Sequence, residues 1–170
     1  MVLKPQDLLV VLKLWVGRTR LWTYPKLAQE LGISLSEVHG AVKRAAKAGF
    51  LLEPNLRNPP NPMALREFLV HGAKYAFPVD RGGITRGVPT AHGAAPLNTG
   101  ILPDGEPLPV WTHPEGTERG LAFEPLHPAA PSAALRDTAL YEMLTLLDAI
   151  RGGRAREREH AIRLLEARLK

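Results

Sequence analysis

The sequence predicts a mainly α-helical protein, and three observations support that fold class. Several segments repeat apolar residues at intervals of three and four between helix-capping residues. A proline- and glycine-rich stretch, 77–131, has no regular period. The last part of the chain carries two leucine-rich helical patterns separated by Gly152 and Gly153. We therefore expect a helical N-terminal domain over 1–57, a helix plus a wrapping segment over 58–131, and a helical hairpin over 132–170.

The first helix is predicted from Lys4 to Val16. Pro5 is tolerated in a first helical turn, and Gly17 ends the pattern. Its apolar residues give a broad buried face: Leu8, Leu9, Leu12, Trp15 and Val16. The apolar run is short, is interrupted by Lys13 and lacks a small-residue cleavage site, so we expect a buried helix without a membrane span or leader.

Two further helices joined by a tight turn are predicted between Tyr24 and Gly49. Thr23 can cap the first of them, whose apolar residues share one face: Leu27, Ala28 and Leu31. Gly32 ends this helix because a residue without a Cβ readily takes the left-handed conformation of a helix stop.

The second helix of this pair is predicted to start at Leu35. Ser34 and Glu37 have the spacing of a capping box, and Gly49 is a natural C-terminal stop. The expected inner face consists of Leu35, Val38, Val42 and Ala45. The expected outer face consists of Ser36, Gly40, Lys43, Arg44 and Lys47, with His39 on its flank.

This pattern resembles the helix-turn-helix family of DNA-binding proteins. That family has a small residue mid-way along the first helix, a glycine at the turn and a branched apolar residue in the second helix. Ala28, Gly32 and Val38 occupy those places. The resemblance covers residues 24–49 directly, and 1–57 when the preceding helix is counted. The alternative is an ordinary helical hairpin with a solvated basic face.

The resemblance implies that the second helix reads base edges while flanking basic groups hold phosphates. Ser36, His39, Gly40 and Lys43 are the expected groove residues. Lys43 serves either a guanine edge or a phosphate, and Glu37 is either a cap alone or a cytosine contact. The other expected DNA-binding residues are Ser34 at the helix N-terminus and the basic residues Arg18, Arg20, Lys26, Arg44, Lys47 and Arg57.

A winged version of this fold needs a β-hairpin after the second helix, and the sequence departs from that pattern. Phe50 to Glu53 is predicted as a short strand, but Pro54 ends it. The following residues, 55–62, contain three prolines, which cannot donate to a β-ladder. We expect a short, irregular or absent wing, with Arg57 as its one basic contact.

The distribution of charge favours the same segment. Of the net charge of +5, residues 1–57 carry nine Lys and Arg against four Asp and Glu. Residues 58–131 carry five against seven, and residues 132–170 carry eight against six. The excess of positive charge therefore lies where a polyanion is expected to bind.

The middle of the chain is predicted to begin with a helix from Met63 to Ala76, weakened at Gly72. The stretch from Phe77 to Pro131 then has too many large apolar residues for a solvated linker: Ile84, Val88, Leu97, Ile101, Leu102, Val110, Trp111, Leu121, Phe123 and Leu126. We expect an ordered, mostly irregular segment that wraps the helices or binds a partner. Short strands are predicted at Leu108–Thr112 and Gly120–Phe123.

The C-terminal hairpin is predicted to start at Ser132 or Asp137 and to resume over Arg154–Lys170. Its first helix has an apolar face of Leu140, Met143, Leu144 and Leu147, and its second carries Ile162, Leu165 and Leu169. A hairpin this rich in leucine resembles the dimerisation helices of small bacterial regulators, which is an analogy of fold only.

Enzymatic, metal-binding and cofactor-binding functions find no motif in this sequence. The chain has no cysteine, which also favours a cytoplasmic protein. His92, His113 and His127 lack metal-ligand spacings. The glycines of 81–87 do not form a phosphate-binding loop. We therefore expect no catalysis, no metal and no cofactor.

The function expected from the sequence is transcriptional regulation by a homodimer that binds double-stranded DNA sequence-specifically. Two alternatives remain open. One is a DNA-binding, antitoxin-like protein that holds a partner protein through residues 78–170. The other is a protein-interaction module that does not bind DNA at all.

Overall fold

A computed structural model describes residues 2–101 and 104–170. The N-terminal helices are α1 (Pro5–Val16), α2 (Tyr24–Leu31) and α3 (Leu35–Lys47). A bent helix follows as α4 (Pro62–Glu67), a π-helical turn (Phe68–Gly72) and α5 (Ala73–Ala76). Three strands come next, β1 (Arg81–Pro89), β2 (Pro109–Thr112) and β3 (Glu118–Phe123). The chain ends with α6 (Ala130–Leu135), α7 (Thr138–Gly152) and α8 (Ala155–Arg168), so it is mainly helical as predicted.

Helix α1 lies inside the molecule, as its apolar composition predicts. Every residue from Asp7 to Trp15 is buried, because α1 packs against both α3 and α7. A helix that is apolar on nearly all sides is stable only when other elements cover it. Lys13 is also buried, although no pattern in the sequence predicts a cation in the interior.

Residues 50–61 form a loop without a strand, so the strand predicted at Phe50–Glu53 is wrong. The reason is that Phe50 and Leu51 both turn into the core, whereas neighbouring strand residues point to opposite faces. The Phe50 ring meets Phe68 edge-on at 5.4 Å, and the Phe50 carbonyl accepts a hydrogen bond from the Asn61 amide. No wing therefore follows α3 within residues 50–61.

The helix predicted over Met63–Ala76 is present, with a π-helical turn at its middle. Gly72 ends this turn, and a Cβ there would stand 2.8 Å from the Phe68 ring. The weak point predicted at Gly72 is thus a place where an aromatic ring of the preceding turn needs room.

The described residues of 81–123 contain a small closed sheet of three strands, one more than the two predicted in this segment. Strand β1 is antiparallel to β2 and to β3, while β2 and β3 pair in parallel. The strands predicted at 108–112 and 120–123 correspond to β2 and β3. Strand β1 was missed because Gly82, Gly83 and Gly87 interrupt the alternation of apolar and polar side chains that predicts a strand.

A buried carboxylate joins this sheet to α7. Asp148 accepts hydrogen bonds from Thr90 Oγ1, Trp111 Nε1 and Arg151 Nη1, each at 2.7 Å. Arg151 Nε donates in turn to the Phe77 carbonyl at 2.9 Å. Burial raises the pKa of Asp148, an effect that the Arg151 charge and these hydrogen bonds oppose.

The apolar residues of the middle segment mostly pack within the chain itself. Val88, Leu97, Val110, Trp111, Phe123 and Leu126 are buried; Ile101 and Leu121 are partly exposed, and Ile84 is exposed. Leu102 lies outside the described residues. The buried members are thus covered by the chain itself, without a partner protein.

The C-terminal helices form the predicted hairpin, and Asp137 caps α7 as expected. The short helix α6 precedes it. The α7 leucines proposed for dimerisation are buried inside the chain and are not available to a second copy. One hydrophobic cluster contains residues from α1 to α8, so the three segments proposed from the sequence share a core. Among the described residues, no helix is both long and apolar enough to cross a bilayer.

Candidate nucleic-acid interface

The pair of helices α2 and α3 is held by the local signals that the sequence predicted. Thr23 Oγ1 accepts a hydrogen bond from the Lys26 amide at 3.3 Å, and Gly32 adopts the left-handed conformation with φ of 67°. Ser34 Oγ accepts from the Glu37 amide at 3.1 Å, while Glu37 Oε2 accepts from the Ser34 amide at 2.7 Å. Both ends of the turn are therefore fixed by hydrogen bonds and backbone conformation.

The inner face of α3 packs on the core and sets which face remains outside. Val38, Ala41, Val42 and Ala45 are fully buried, and Ala28 on α2 is 9% exposed. Leu35 was predicted to point inward, but it is 46% exposed. The reason is its position at the first residue of α3, where the end of the helix is only partly covered.

The outer face of α3 presents four exposed side chains to solvent: Ser36, His39, Lys43 and Lys47. Neither Lys43 nor Lys47 has a carboxylate within 4 Å in the part of the chain that the structure describes. The two lysines are four residues apart and so lie on the same face, one turn from each other. This face therefore carries uncompensated positive charge.

Arg44 does not join that face, although the sequence placed it there. Its guanidinium turns inward and donates two hydrogen bonds of 2.7 Å to Asp7, from Nε to Oδ2 and from Nη2 to Oδ1. Asp7 is fully buried, so Arg44 compensates an interior charge. The hydrogen bonds to Asp7 raise the pKa of Arg44 above its usual value. Arg44 is thus removed from the expected phosphate contacts.

Gly40 also has a reason that the sequence did not reveal. A Cβ at this position would stand 3.0 Å from Nη1 of Arg44, so the missing side chain gives the guanidinium room to reach Asp7. The role predicted for Gly40, a close approach of α3 to DNA, is independent of this contact with Arg44 and stays a prediction.

His39 is held by a partner that the sequence analysis missed. Its ring stacks on Tyr24, with ring centroids 3.9 Å apart and planes within 13°. Tyr24 lies at the first position of α2 and its hydroxyl points to the Pro54 carbonyl at 3.5 Å. The two residues are 15 apart in sequence and in different helices, so no spacing rule connects them.

Glu37 serves as the cap that the sequence predicted. The hydrogen bonds from Ser34 lower the pKa of its carboxyl, with a smaller contribution from His127 nearby. Because Oε2 already accepts the Ser34 amide, the alternative role as a cytosine contact is left with one free oxygen. Ser34 is likewise engaged through both its hydroxyl and its amide.

The other basic residues of the expected site divide into paired and free ones. Arg20 is paired: its guanidinium donates to both oxygens of Glu30, at 2.5 and 3.1 Å, and lies 4.2 Å from the Trp22 ring. Arg18 stacks over Trp15 but stays exposed. Lys26 and Arg57 are exposed without a carboxylate within 4 Å among the residues described.

Beside α2 lies an open polar cleft of about 820 Å³ between α1, α2 and the start of α7. At its base the buried Lys13 ammonium is 2.9 Å from Glu30 and 2.6 Å from Asp137. Hydrogen bonds from Arg20, and then from Lys13, lower the pKa of Glu30 to about 2. The charges on this side of α2 are therefore largely satisfied within the chain, unlike those on the outer face of α3.

The histidines and carboxylates of the middle segment do not converge on a metal site. No three His, Asp or Glu side chains within residues 2–101 and 104–170 are close enough to hold an ion. His92 faces Glu157 at 3.4 Å, and His113 is hydrogen-bonded to Ser132 at 2.9 Å. His127 accepts the Ala129 amide at 3.1 Å.

Comparisons of this chain with protein-family models, with curated proteins and with solved structures found no match.

Proposed function

We propose that the protein binds duplex DNA through the outer face of α3 and acts as a sequence-specific transcriptional regulator. One observation carries this proposal. Lys43 and Lys47 are exposed and lack carboxylate partners among the described residues, whereas Arg20 and Arg44 in the same region are each held by a carboxylate. Unpaired cations on a rigid helix are what phosphate binding requires.

The geometry of α3 favours groove binding over a merely solvated face. Its inner side is fixed to the core by Val38 and Val42, and its first turn is closed by the Ser34–Glu37 box. A helix held at its N-terminus and along its inner side can present its side chains without a cost for ordering its backbone on binding.

Each residue of the face has a role that fits its chemistry. Ser36 and His39 lie in the N-terminal half of α3, the part that reads base edges in a helix-turn-helix complex. The Tyr24 ring stacks on His39 and favours this orientation of the imidazole plane. Lys43 reaches a guanine edge or a phosphate, and Lys47 reaches a phosphate. Arg18, Lys26 and Arg57 are the flanking phosphate contacts.

Dimerisation remains part of the proposal, but the surface first expected for it is occupied. Since the leucines of α7 pack inside the chain, a dimer that reads two half-sites must form through another surface. Sedimentation of the protein with and without its DNA tests this point directly. Two chains on one duplex are expected, and a single chain would contradict the dimer.

The test of DNA binding is a fluorescence-anisotropy titration of a labelled duplex from the chain's own upstream region at two salt concentrations. The variant Lys43→Ala/Lys47→Ala is compared with Arg156→Ala/Arg163→Ala, which removes two exposed charges from α8. We expect the first variant alone to flatten the slope of log K against log salt, by about 0.9 for each lost phosphate contact.

Unchanged affinity of Lys43→Ala/Lys47→Ala at low salt would contradict the proposal. Absence of any salt-sensitive affinity in the unaltered protein would favour a protein-interaction module instead.

A further inference from the structure

A second group of unpaired cations lies on the sheet, far along the chain from α3. Arg86 on β1 and Arg119 on β3 are direct partners in the antiparallel ladder. Direct partners project from the same face with Cβ atoms about 5 Å apart, and like charges in this arrangement are destabilising. Both side chains are exposed.

No carboxylate in the described chain offsets this pair. Neither guanidinium has an Asp or Glu oxygen within 4 Å among residues 2–101 and 104–170. Glu118 is adjacent to Arg119, but neighbouring residues of a strand point to opposite faces, so its carboxylate is directed away. Within the described residues, the two like charges therefore lie together without a carboxylate partner.

The backbone beneath the pair is tightly built. Gly87 and Gly120 each follow one of the arginines, and a Cβ at either glycine would overlap backbone atoms of β2 or of its preceding residue, Leu108. The strands thus approach more closely than side chains would allow, and the closed sheet fixes the two Cα positions. This rigidity separates the pair from two arginines on a mobile loop.

A series of contacts links the strand of Arg86 to the helical pair α2 and α3. The Arg86 carbonyl accepts the His113 amide at 3.4 Å, and His113 is hydrogen-bonded to Ser132 on α6. Helix α6 in turn packs against α2, the first helix of the pair that carries the candidate interface. The strands that carry the arginine pair are therefore joined to the helical pair through α6.

We propose that Arg86 and Arg119 form a second phosphate-binding site that holds the backbone of a DNA duplex outside the groove occupied by α3. The inference rests on the DNA binding proposed above and adds a contact from the sheet. In this arrangement the sheet adds a flanking contact beside that of Arg57, the one basic residue of the loop 50–61, which has no hairpin. Phosphate oxygens supply the negative charge that no carboxylate of the described residues places beside the two arginines.

The test uses a labelled mixed-sequence duplex of about 30 base pairs, titrated by anisotropy across the salt range in which counterion release is measured. Arg86→Gln/Arg119→Gln is compared with Arg156→Gln/Arg163→Gln, which removes the same charge from α8, and with Lys43→Ala/Lys47→Ala. We expect the salt slope of the first variant to fall by about 1.8, or about 0.9 per lost phosphate contact. The slope of the α8 control should match that of the unaltered protein.

The outcomes separate this inference from the proposed function. If only Lys43→Ala/Lys47→Ala lowers the slope, DNA binding by α3 stands and the sheet site is overturned. If Arg86→Gln/Arg119→Gln alone lowers it, the sheet site stands and the assignment to α3 fails. If the unaltered protein has no salt-dependent affinity, both fail.

Two further measurements keep the interpretation of the arginine variant unambiguous. Its Tm should equal or exceed that of the unaltered protein, since a like-charge pair is removed. A Tm lower by more than about 4 °C would mean that the arginines support the fold, and would overturn the proposal. In a titration with polyglutamate, the arginine variant should bind as tightly as the unaltered protein. Weaker binding to polyglutamate, with DNA binding unchanged, would assign the pair to an acidic protein and overturn the DNA site.

Discussion

Helices α3 and α7 have similar lengths, 13 and 15 residues, and each begins at a side-chain cap. They differ in where their charged side chains lie. Helix α7 buries ten of its residues, including Asp148 and Arg151, and satisfies both within the chain. Helix α3 buries four apolar residues and leaves Lys43 and Lys47 outside without carboxylate partners among the described residues.

The difference separates charge that specifies the fold from charge that is available to a ligand. Taking an ion from water is costly, so a buried charge is retained where a partner of opposite sign compensates it. Asp148 with Arg151, Asp7 with Arg44, and Lys13 with its two carboxylates all follow this rule. The outer lysines of α3 have no such partner in the part of the chain that the structure describes, which is why we propose an external anion for them.

The largest effect is expected where the buried network of α7 is broken. Asp148→Ala leaves the Arg151 guanidinium, Trp111 Nε1 and the Thr90 hydroxyl without their acceptor. We expect the free energy of unfolding to fall by about 3–5 kcal/mol, measured by urea denaturation. Glu159→Ala on the exposed side of α8 serves as the control and should change it by less than about 0.5 kcal/mol. A loss below about 1 kcal/mol for Asp148→Ala would mean that the network does not hold the sheet to α7.

Two adjacent residues of α3 sharpen the comparison within one helix. Arg44→Ala strands the buried Asp7 carboxylate, so we expect a loss of about 3 kcal/mol in unfolding free energy. Lys43→Ala removes an exposed cation and should change stability by less than about 0.5 kcal/mol while weakening DNA binding. Thermal melting with the anisotropy titration measures both. Equal stability losses at the two positions would contradict the division into inward and outward charge.

A smaller effect is expected at the cleft beside α2, and it depends on pH. The pKa of Glu30 is lowered to about 2 in the folded chain, against an ordinary value of 4.5. A lowered pKa contributes stability that is present above pH 4.5 and is lost as pH falls through 2. Glu30→Gln should therefore cost roughly 1 kcal/mol at neutral pH and almost nothing near pH 2.

Thermal melts of both proteins between pH 2 and 7 measure this difference. A constant difference in Tm across the range would show that the Glu30 carboxylate contributes through packing and not through its charge.

Local signals in the sequence predicted much of the helical framework. Thr23, Gly32, the Ser34–Glu37 box and Asp137 act through atoms within four residues, so their patterns are legible in sequence. The apolar faces of α2, α3 and α7 follow from the helical period for the same reason. Leu35 is the exception, because burial of a helix end depends on which other element covers it.

Capping and periodicity patterns could not predict contacts between segments that are distant in the sequence. The pairing of Arg44 with Asp7 spans 37 residues, and the stacking of His39 on Tyr24 joins two helices. The period of α3 predicted Arg44 on the basic face, because it cannot show that the long side chain turns inward to Asp7. Strand β1 was missed because its glycines have no side chains that would show the alternation of a strand. The loop after α3 replaces a wing because Phe50 and Leu51 are both buried, which depends on distant parts of the chain.

The most direct test of the central claim is to locate the DNA contact on the folded protein by amide chemical-shift perturbation. Adding a duplex from the chain's own upstream region should shift the amides of Ser36, His39, Gly40, Lys43 and Lys47 more than those of the buried helix α7. Perturbations that leave α3 unchanged and fall elsewhere on the surface would contradict the assignment of DNA binding to this helix.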